Sequence, residues 1–228
     1  MSPPSDVPKT LINHILQPTI PLSQHHRSAQ LPQLTHHTPP SICDLQEKFR
    51  PAIHEYPSVL AITRKLLRAS KILDIPILST TQNRARLGET CAELGLDNGP
   101  DSDAAPATST NGDEATETYK TLAHVDKTAF SMLVPAVVTA ITNLEKELHG
   151  TEKLDCIVIG IETHICVLQT SLDLLARGHR VYVVQDAVSS CNKEERPVAL
   201  ERLRREGVRV TTSESLIYEI LGDAGDKA

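Results

Sequence analysis

A doubly wound α/β domain, with a parallel sheet and helices on both faces, is the fold class this sequence predicts, and three stretches predict it. Residues Cys156-Ile157-Val158-Ile159 form an unbroken, mostly β-branched apolar run, the pattern of a strand covered on both faces in a parallel sheet. Directly after it, apolar residues recur at helical spacing through Val167, Leu168, Leu172, Leu174 and Leu175 until Gly178 offers a stop. Earlier in the chain a helical pattern from Tyr56 to Leu73 leads into the apolar stretch Ile75 to Thr81, the helix-then-strand order of the same architecture. A chain of 228 residues suits one such domain with a sizeable core and no need of disulfide staples.

Residues 1–40 hold several prolines, polar residues and the pairs His25-His26 and His36-His37 with little periodicity, so they read as a disordered or non-native N-terminal segment. In that setting the histidine pairs read as solvated. The domain is expected over 41–222, with a tail at 223–228. Its first strand, ending at Ile42-Cys43-Asp44, is expected to be stunted, because Pro39 and Pro40 cannot donate to a central ladder. Val59, Leu60, Ile62, Leu66, Leu67, Ile72 and Leu73 give the first helix its apolar face, and Pro76 sits near the start of the next strand, where a missing N–H is tolerated. Asp97 to Thr118 is poor in large apolar residues and rich in Asp, Ser, Thr, Gly and Pro, which predicts a flexible surface insertion.

The stretch around Leu122 to Lys127 resumes the sheet, and Val137, Val138, Ile141, Leu144 and Leu148 mark a helix over Val134 to Leu148. Gly160 is expected to break the strand that begins at Cys156. Arg180 to Val184 is a further strand ending at Gln185-Asp186-Ala187, with Ser189 and Ser190 beyond it at the carboxyl edge, where open α/β sheets bind ligands. Asp186 reads either as a pocket residue or as a helix-capping or turn residue. Glu194 to Arg205 is a helix closed by Gly207, Val208 to Thr212 a last strand, and Ser215 to Leu221 a short terminal helix.

The balance of charge, −6 with a pI near 5.9, and the low aromatic content argue against nucleic acid as a partner. No apolar run is long enough to span a bilayer, so no membrane partner is expected. Five cysteines, an odd number without CxxC pairing, fit a reducing compartment and a cytoplasmic location. A mitochondrial location is the alternative: residues 1–40 are poor in acids and contain Ser and Thr, but show no clear amphipathic helix.

Three residues stand at predicted strand ends, Asp44, Lys127 and Cys166. Taken singly, each has an ordinary reading: an N-cap or turn aspartate, a surface lysine, a small buried core cysteine. In context they read differently. Gly160-Ile161-Glu162-Thr163 leading to Cys166, within the phrase ETHICVLQTSLDLLARGHRVYVVQDAVSS, resembles the nucleophile motif of the isochorismatase-like cysteine hydrolases, in the branch of the isochorismatase domain-containing proteins. Asp44 followed by Leu45-Gln46-Glu47-Lys48 resembles that family's catalytic aspartate, and Lys127-Thr128-Ala129-Phe130-Ser131 its catalytic-lysine motif. The resemblance implies an Asp44–Lys127–Cys166 triad, a cis peptide between Ile161 and Glu162, and an oxyanion site formed by the amides of Glu162 and Cys166. It also implies a homo-oligomer acting on a small-molecule substrate. The metal-binding nicotinamidase branch draws an Asp and two His ligands from a loop that here supplies Gln82 and Asn83, with no histidine from Ser79 to Thr118. Neutral amides are poor zinc ligands, so neither a catalytic metal nor another cofactor is expected.

A helix N-terminus and the Lys127 ammonium are both expected to favour the Cys166 thiolate, with Asp44 passing the thiol proton to a leaving amine. Together these describe hydrolysis of a small amide through a covalent thioester. Two other classes stay open. A stunted first strand and the negative charge of Glu162 fit a scaffold or binding protein that lost turnover, and an acidic Cys166 with Cys191 as resolving partner fits a redox sensor.

Overall fold

The computed structural model describes residues 39–97, 117–147 and 153–223. The expectations for residues 1–38, for most of the 97–118 insertion and for the tail beyond 223 fall outside the described residues. Six parallel strands form one sheet: β1 (Pro40–Cys43), β2 (Ile77–Gln82), β3 (Thr121–Lys127), β4 (Asp155–Ile161), β5 (Arg180–Ser189) and β6 (Arg209–Thr211). Their order across the sheet is β3-β2-β1-β4-β5-β6. The chain thus winds outward from β1 in one direction, returns to β4 and winds out in the other. The crevice beyond the carboxyl ends of β1 and β4 is the topological switch point, where proteins of this class hold their ligands.

Successive residues of the inner strands alternate between two apolar layers. Ile42, Ile157, Ile159 and Tyr182 face α1 (Tyr56–Ile72) and α6 (Ser213–Leu221), meeting Val59, Leu60, Leu66, Leu67 and Leu216. Cys43, Cys156, Val158 and Val183 face the other way. There they meet Val137, Ile141 and Leu144 of α3 (Pro135–Glu147), Leu168 and Leu174 of α4 (Leu168–Ala176), and Leu200 and Leu203 of α5 (Glu195–Arg205). A strand buried on both faces needs apolar side chains at both parities, which is why β4 reads as an unbroken run instead of an alternation. One short helix, α2 (Arg84–Leu87), follows β2. Ile72, counted with the apolar face of the first helix, is 68% exposed at its last residue. Among the described residues no helix is long and apolar enough to cross a membrane.

The first strand is short, four residues against seven in β3 and β4, and it begins at Pro40. It is nevertheless central, pairing with β2 on one side and β4 on the other. Proline is tolerated there because it is the first strand residue.

Two strands run longer than their sequence suggests. Gly160 does not end β4; it lies inside it, opposite Cys43 of β1. It sits at φ +108, and a Cβ placed on it would come within 2.1 Å of the Cys43 carbonyl oxygen. The glycine is a close-approach residue that lets β1 and β4 run side by side to their carboxyl ends. Likewise β5 continues through Gln185-Asp186-Ala187 to Ser189, with an irregular register opposite Val158 and Gly160. Asp186, within that continuation, accepts the Ser213 N–H at 2.8 Å and the Ser213 hydroxyl at 2.6 Å, so it holds the first turn of α6, as its capping reading expects.

Replacing Gly160 by Ala combines a left-handed backbone with a contact no side chain can relax, and the expected loss is about 3 kcal/mol or more. Urea unfolding checks this. A loss under about 1 kcal/mol would show that β1 and β4 tolerate separation at this point.

Candidate active site

Asp44 is the first residue past β1 and has φ 51, a left-handed conformation that aspartate tolerates better than most residues. That turn takes its side chain off the strand and into the sheet's carboxyl edge. Oδ1 accepts the Thr80 hydroxyl of β2 at 2.7 Å, and Oδ2 accepts the Lys127 ammonium at 2.8 Å. Lys127 ends β3, two strands away. Its side chain is fully buried and that of Asp44 is 1% exposed. A lysine ammonium has three donors, and Asp44 Oδ2, Gln82 Oε1 at 2.7 Å and the Ala129 carbonyl at 3.1 Å account for all of them. The Cys166 sulfur is 3.9 Å from Nζ, within reach of the ammonium's field.

Cys166 follows β4. The peptide between Ile161 and Glu162 is cis, and Thr163–Val167 forms a single π-helical turn before α4 begins at Leu168. Cys166 therefore lies inside a widened turn, two residues ahead of the regular helix. Such turns are common at functional sites. The backbone N–H of Glu162 hydrogen-bonds the Cys166 sulfur. The structure thus brings Asp44, Lys127 and Cys166 together with Ile161 and Glu162, from three separate stretches of chain.

Burial works against the thiolate that Lys127 favours. Burial pushes the Cys166 thiol up to about 12, and the Asp44 charge and an S–H···carboxylate bond to Asp44 push the same way. Lys127 and the Glu162 amide pull it down and are outweighed. Asp44 sits on the same ammonium at 2.8 Å, nearer than the sulfur at 3.9 Å, and its charge outweighs that of Lys127 at the thiol. Burial and the Asp44 charge thus favour the protonated thiol at Cys166. Cys156 in β4, raised to about 12 chiefly by burial, is the neutral core thiol its apolar run implies, and burial likewise raises Cys43 well above the ordinary thiol value.

Several supporting residues carry no role in the sequence reading. Gln46, fully buried, donates Nε2 to the carbonyls of Gln82 (3.2 Å) and Gly88 (2.6 Å) and accepts the Gln82 N–H at 2.7 Å. That clamp orients Gln82, whose Nε2 also donates to the Thr128 carbonyl at 2.9 Å while its Oε1 takes Lys127. Thr170 of α4 accepts the Met132 N–H at 2.9 Å, fastening the loop that follows β3. Ser189 donates to the His54 carbonyl at 2.5 Å, and the Ser190 hydroxyl pairs with His164 Nδ1 at 2.9 Å. The only advance signal was polarity at predicted strand ends, which does not distinguish a clamp from a solvated residue.

Among the described residues, Glu47, Cys91 and Glu93 could gather around a metal ion. Arg50 already bridges both carboxylates, at 2.5 Å to each, and burial pushes the Cys91 thiol up to about 11. This cluster is filled by its own cation.

A doubly wound parallel sheet with buried polar groups gathered at its switch point defines an α/β protein with a small-ligand site. The isochorismatase domain profile matches residues 42–215, and the chain belongs to the isochorismatase-like hydrolase family. It is 41% identical over 184 residues to isochorismatase domain-containing protein 2A of Mus musculus, covering 80% of this chain and 74% of the mouse one. It is 38% identical over 187 residues to the secreted isochorismatase effector Isc1 of Phytophthora sojae, covering 81% and 77%. Among solved structures, the MAR1 ribonuclease of Caenorhabditis elegans superposes with a TM-score of 0.68 at 32% identity, covering 85% of this chain and 86% of that one.

A protonated resting thiol has a kinetic signature. Alkylation of Cys166 by iodoacetamide, read by peptide mass spectrometry, should rise about tenfold per pH unit from pH 7 to 9 without a plateau. A plateau reached by pH 7 would mean that the thiolate is already formed and that Lys127 prevails over burial.

Proposed function

We propose that the protein is a cysteine hydrolase that cleaves a small amide, or a related carbon–nitrogen bond, through a covalent thioester. The single observation that carries this reading is the convergence of Asp44, Lys127 and Cys166 around one buried point, with the Glu162 N–H directed at the sulfur.

In this mechanism the Cys166 sulfur attacks the substrate carbonyl carbon while its proton passes to Asp44. The carbonyl oxygen becomes an oxyanion held by the amides of Glu162 and Cys166. As the carbon–nitrogen bond breaks, Asp44 returns the proton to the departing amine and the acyl group stays on sulfur. Water, deprotonated by Asp44, then attacks the thioester, releasing the carboxylic acid and restoring the thiol. Lys127 holds Asp44 aimed, and its charge stabilises the negative charge that builds up in both steps. No step in this scheme draws on a metal or cofactor. The scheme includes a homo-oligomeric assembly, with the half-exposed Phe130, three residues after Lys127 in sequence, as one apolar side chain available to a neighbouring subunit.

The name of the C. elegans relative supplies a second reading, cleavage of RNA. The charge of −6 and the near-complete burial of Lys127 oppose binding a polyanion here.

A panel of small amides, with an RNA oligonucleotide included, tests both readings. Amide turnover is expected to fall by about 10³-fold or more in Cys166→Ser, Asp44→Asn and Lys127→Met, with an acyl adduct on Cys166 trapped by acid quench and seen by mass spectrometry. Turnover retained in Cys166→Ser, or RNA cleavage without amide cleavage, would overturn the amidase assignment.

A further inference from the structure

The turn that carries Cys166 is not held by its own residues. The Glu162 carbonyl accepts the N–H of Ile165 at 3.1 Å and that of Val167 at 3.2 Å, while the Glu162 N–H meets the Cys166 sulfur. The main chain of Glu162 therefore brackets the thiol. Yet its side chain does not cap this turn, and the fully buried Thr163 hydroxyl meets no donor or acceptor among the described residues. A π-helical turn has the commoner α-helical ladder as its alternative. In that ladder the Glu162 carbonyl would take the N–H four residues on, at Cys166, which is one of the two amides assigned to the oxyanion. The π turn sends the carbonyl to Val167 instead.

Support comes from the stretch that ends β5. Glu162 Oε2 accepts the Cys191 N–H at 2.8 Å, and His164 Nδ1 pairs with the Ser190 hydroxyl at 2.9 Å. Those two anchors are themselves fixed. Ser190 is fully buried and its carbonyl accepts the His54 N–H at 3.0 Å, while Ser189 donates to the His54 carbonyl and lies opposite Ile161 in the sheet. We propose that Glu162 and His164 are positioning residues, whose side-chain bonds to Cys191 and Ser190 keep the Cys166 turn in its π form and the Glu162 carbonyl off the Cys166 N–H. This inference rests on Cys166 being the nucleophile. Glu162 acts here as an acceptor for Cys191, and no charge is carried to the sulfur.

Iodoacetamide labelling of Cys166 at pH 8, read by peptide mass spectrometry on full-length protein shown to be folded by circular dichroism, tests this. Relaxation to the α ladder re-seats Cys166 away from the Glu162 N–H, one of the groups that pull the thiol down. Less thiolate then forms at a given pH, and labelling in Glu162→Ala and Ser190→Ala is expected to slow roughly three- to tenfold. A merely loosened structure would expose the sulfur and speed labelling, so the direction of the change separates the two. Glu162→Gln, which keeps an acceptor for the Cys191 N–H, is expected to recover most of the rate that Glu162→Ala loses. Ser190→Ala leaves every main-chain bond of residues 189–191 in place, so it reads the side-chain bond alone even if Glu162→Ala fails to fold. Unchanged or faster labelling in the alanine variants, or no recovery in Glu162→Gln, overturns the positioning role. Because labelling uses no substrate, that result leaves the amide reading to its own panel, where turnover retained in Cys166→Ser overturns it whatever the labelling shows.

Discussion

Placing the Lys127 ammonium and the Asp44 carboxylate together in the interior strips both of water, a cost of several kcal/mol per ion that one contact does not offset. The surrounding structure supplies the remaining bonds. Thr80 donates to the second carboxylate oxygen, and Gln82 and the Ala129 carbonyl take the other two ammonium protons. Gln46 in turn holds Gln82 from both sides of its peptide. Remove any one of these and a buried charge is left short of a partner, which is the expensive failure in a low-dielectric interior. The pair therefore dictates the identity of residues on β2, on the loop after β1 and on the loop after β3.

Bringing those elements to one point is a problem of strand geometry. Asp44 leaves β1 where β1 and β4 lie closest, and Gly160 makes that approach feasible because any Cβ there would strike the Cys43 carbonyl. The register across the sheet, Cys43 opposite both Thr80 and Gly160, and Gln82 opposite Lys127, delivers the carboxylate, hydroxyl, amide and ammonium to one level of the carboxyl edge. A four-residue first strand suffices, since it is paired on both sides and its one proline sits at its start.

The sheet was legible in the sequence because two-sided burial forces apolar residues at both parities, and helix faces repeat at their own period. Strands β2, β4 and β5 and the longer helices follow from those two patterns, whereas the short, proline-led β1 does not. Nor do the carboxyl ends of β4 and β5, since Gly160 and the stretch Gln185 to Ser189 look like breakers locally and are held in the sheet by partners distant in the chain. The candidate triad was readable only through its resemblance to a family, since one aspartate, one lysine and one cysteine carry no local signal. Gln46, Thr80 and the Glu162–Cys191 bond were not readable at all. Their roles exist only after the loops meet. Burial and the Asp44 charge, which oppose the pull of Lys127 on the sulfur, also become visible only in the folded chain, because a lysine adds its full field to a neighbouring sulfur only when no carboxylate shares it.

That last point bears on how such a site works. A site holding thiolate, carboxylate and ammonium together at rest would carry an extra buried charge throughout its life, at a standing cost to stability. With the sulfur protonated, the resting site contains one neutral thiol and one balanced ion pair. On the proposed mechanism the balance changes only during reaction. When the thiol proton reaches Asp44, the carboxylate charge disappears and the Lys127 ammonium, 3.9 Å from the sulfur, is left facing the developing negative charge with no competitor. Its field, cancelled in the resting protein, then acts on the transition state, which is where stabilisation lowers the barrier. On that mechanism the raised thiol and the buried ion pair are two sides of one arrangement, in which the electrostatic stabilisation of sulfur is deferred until the substrate carbonyl is there to receive it.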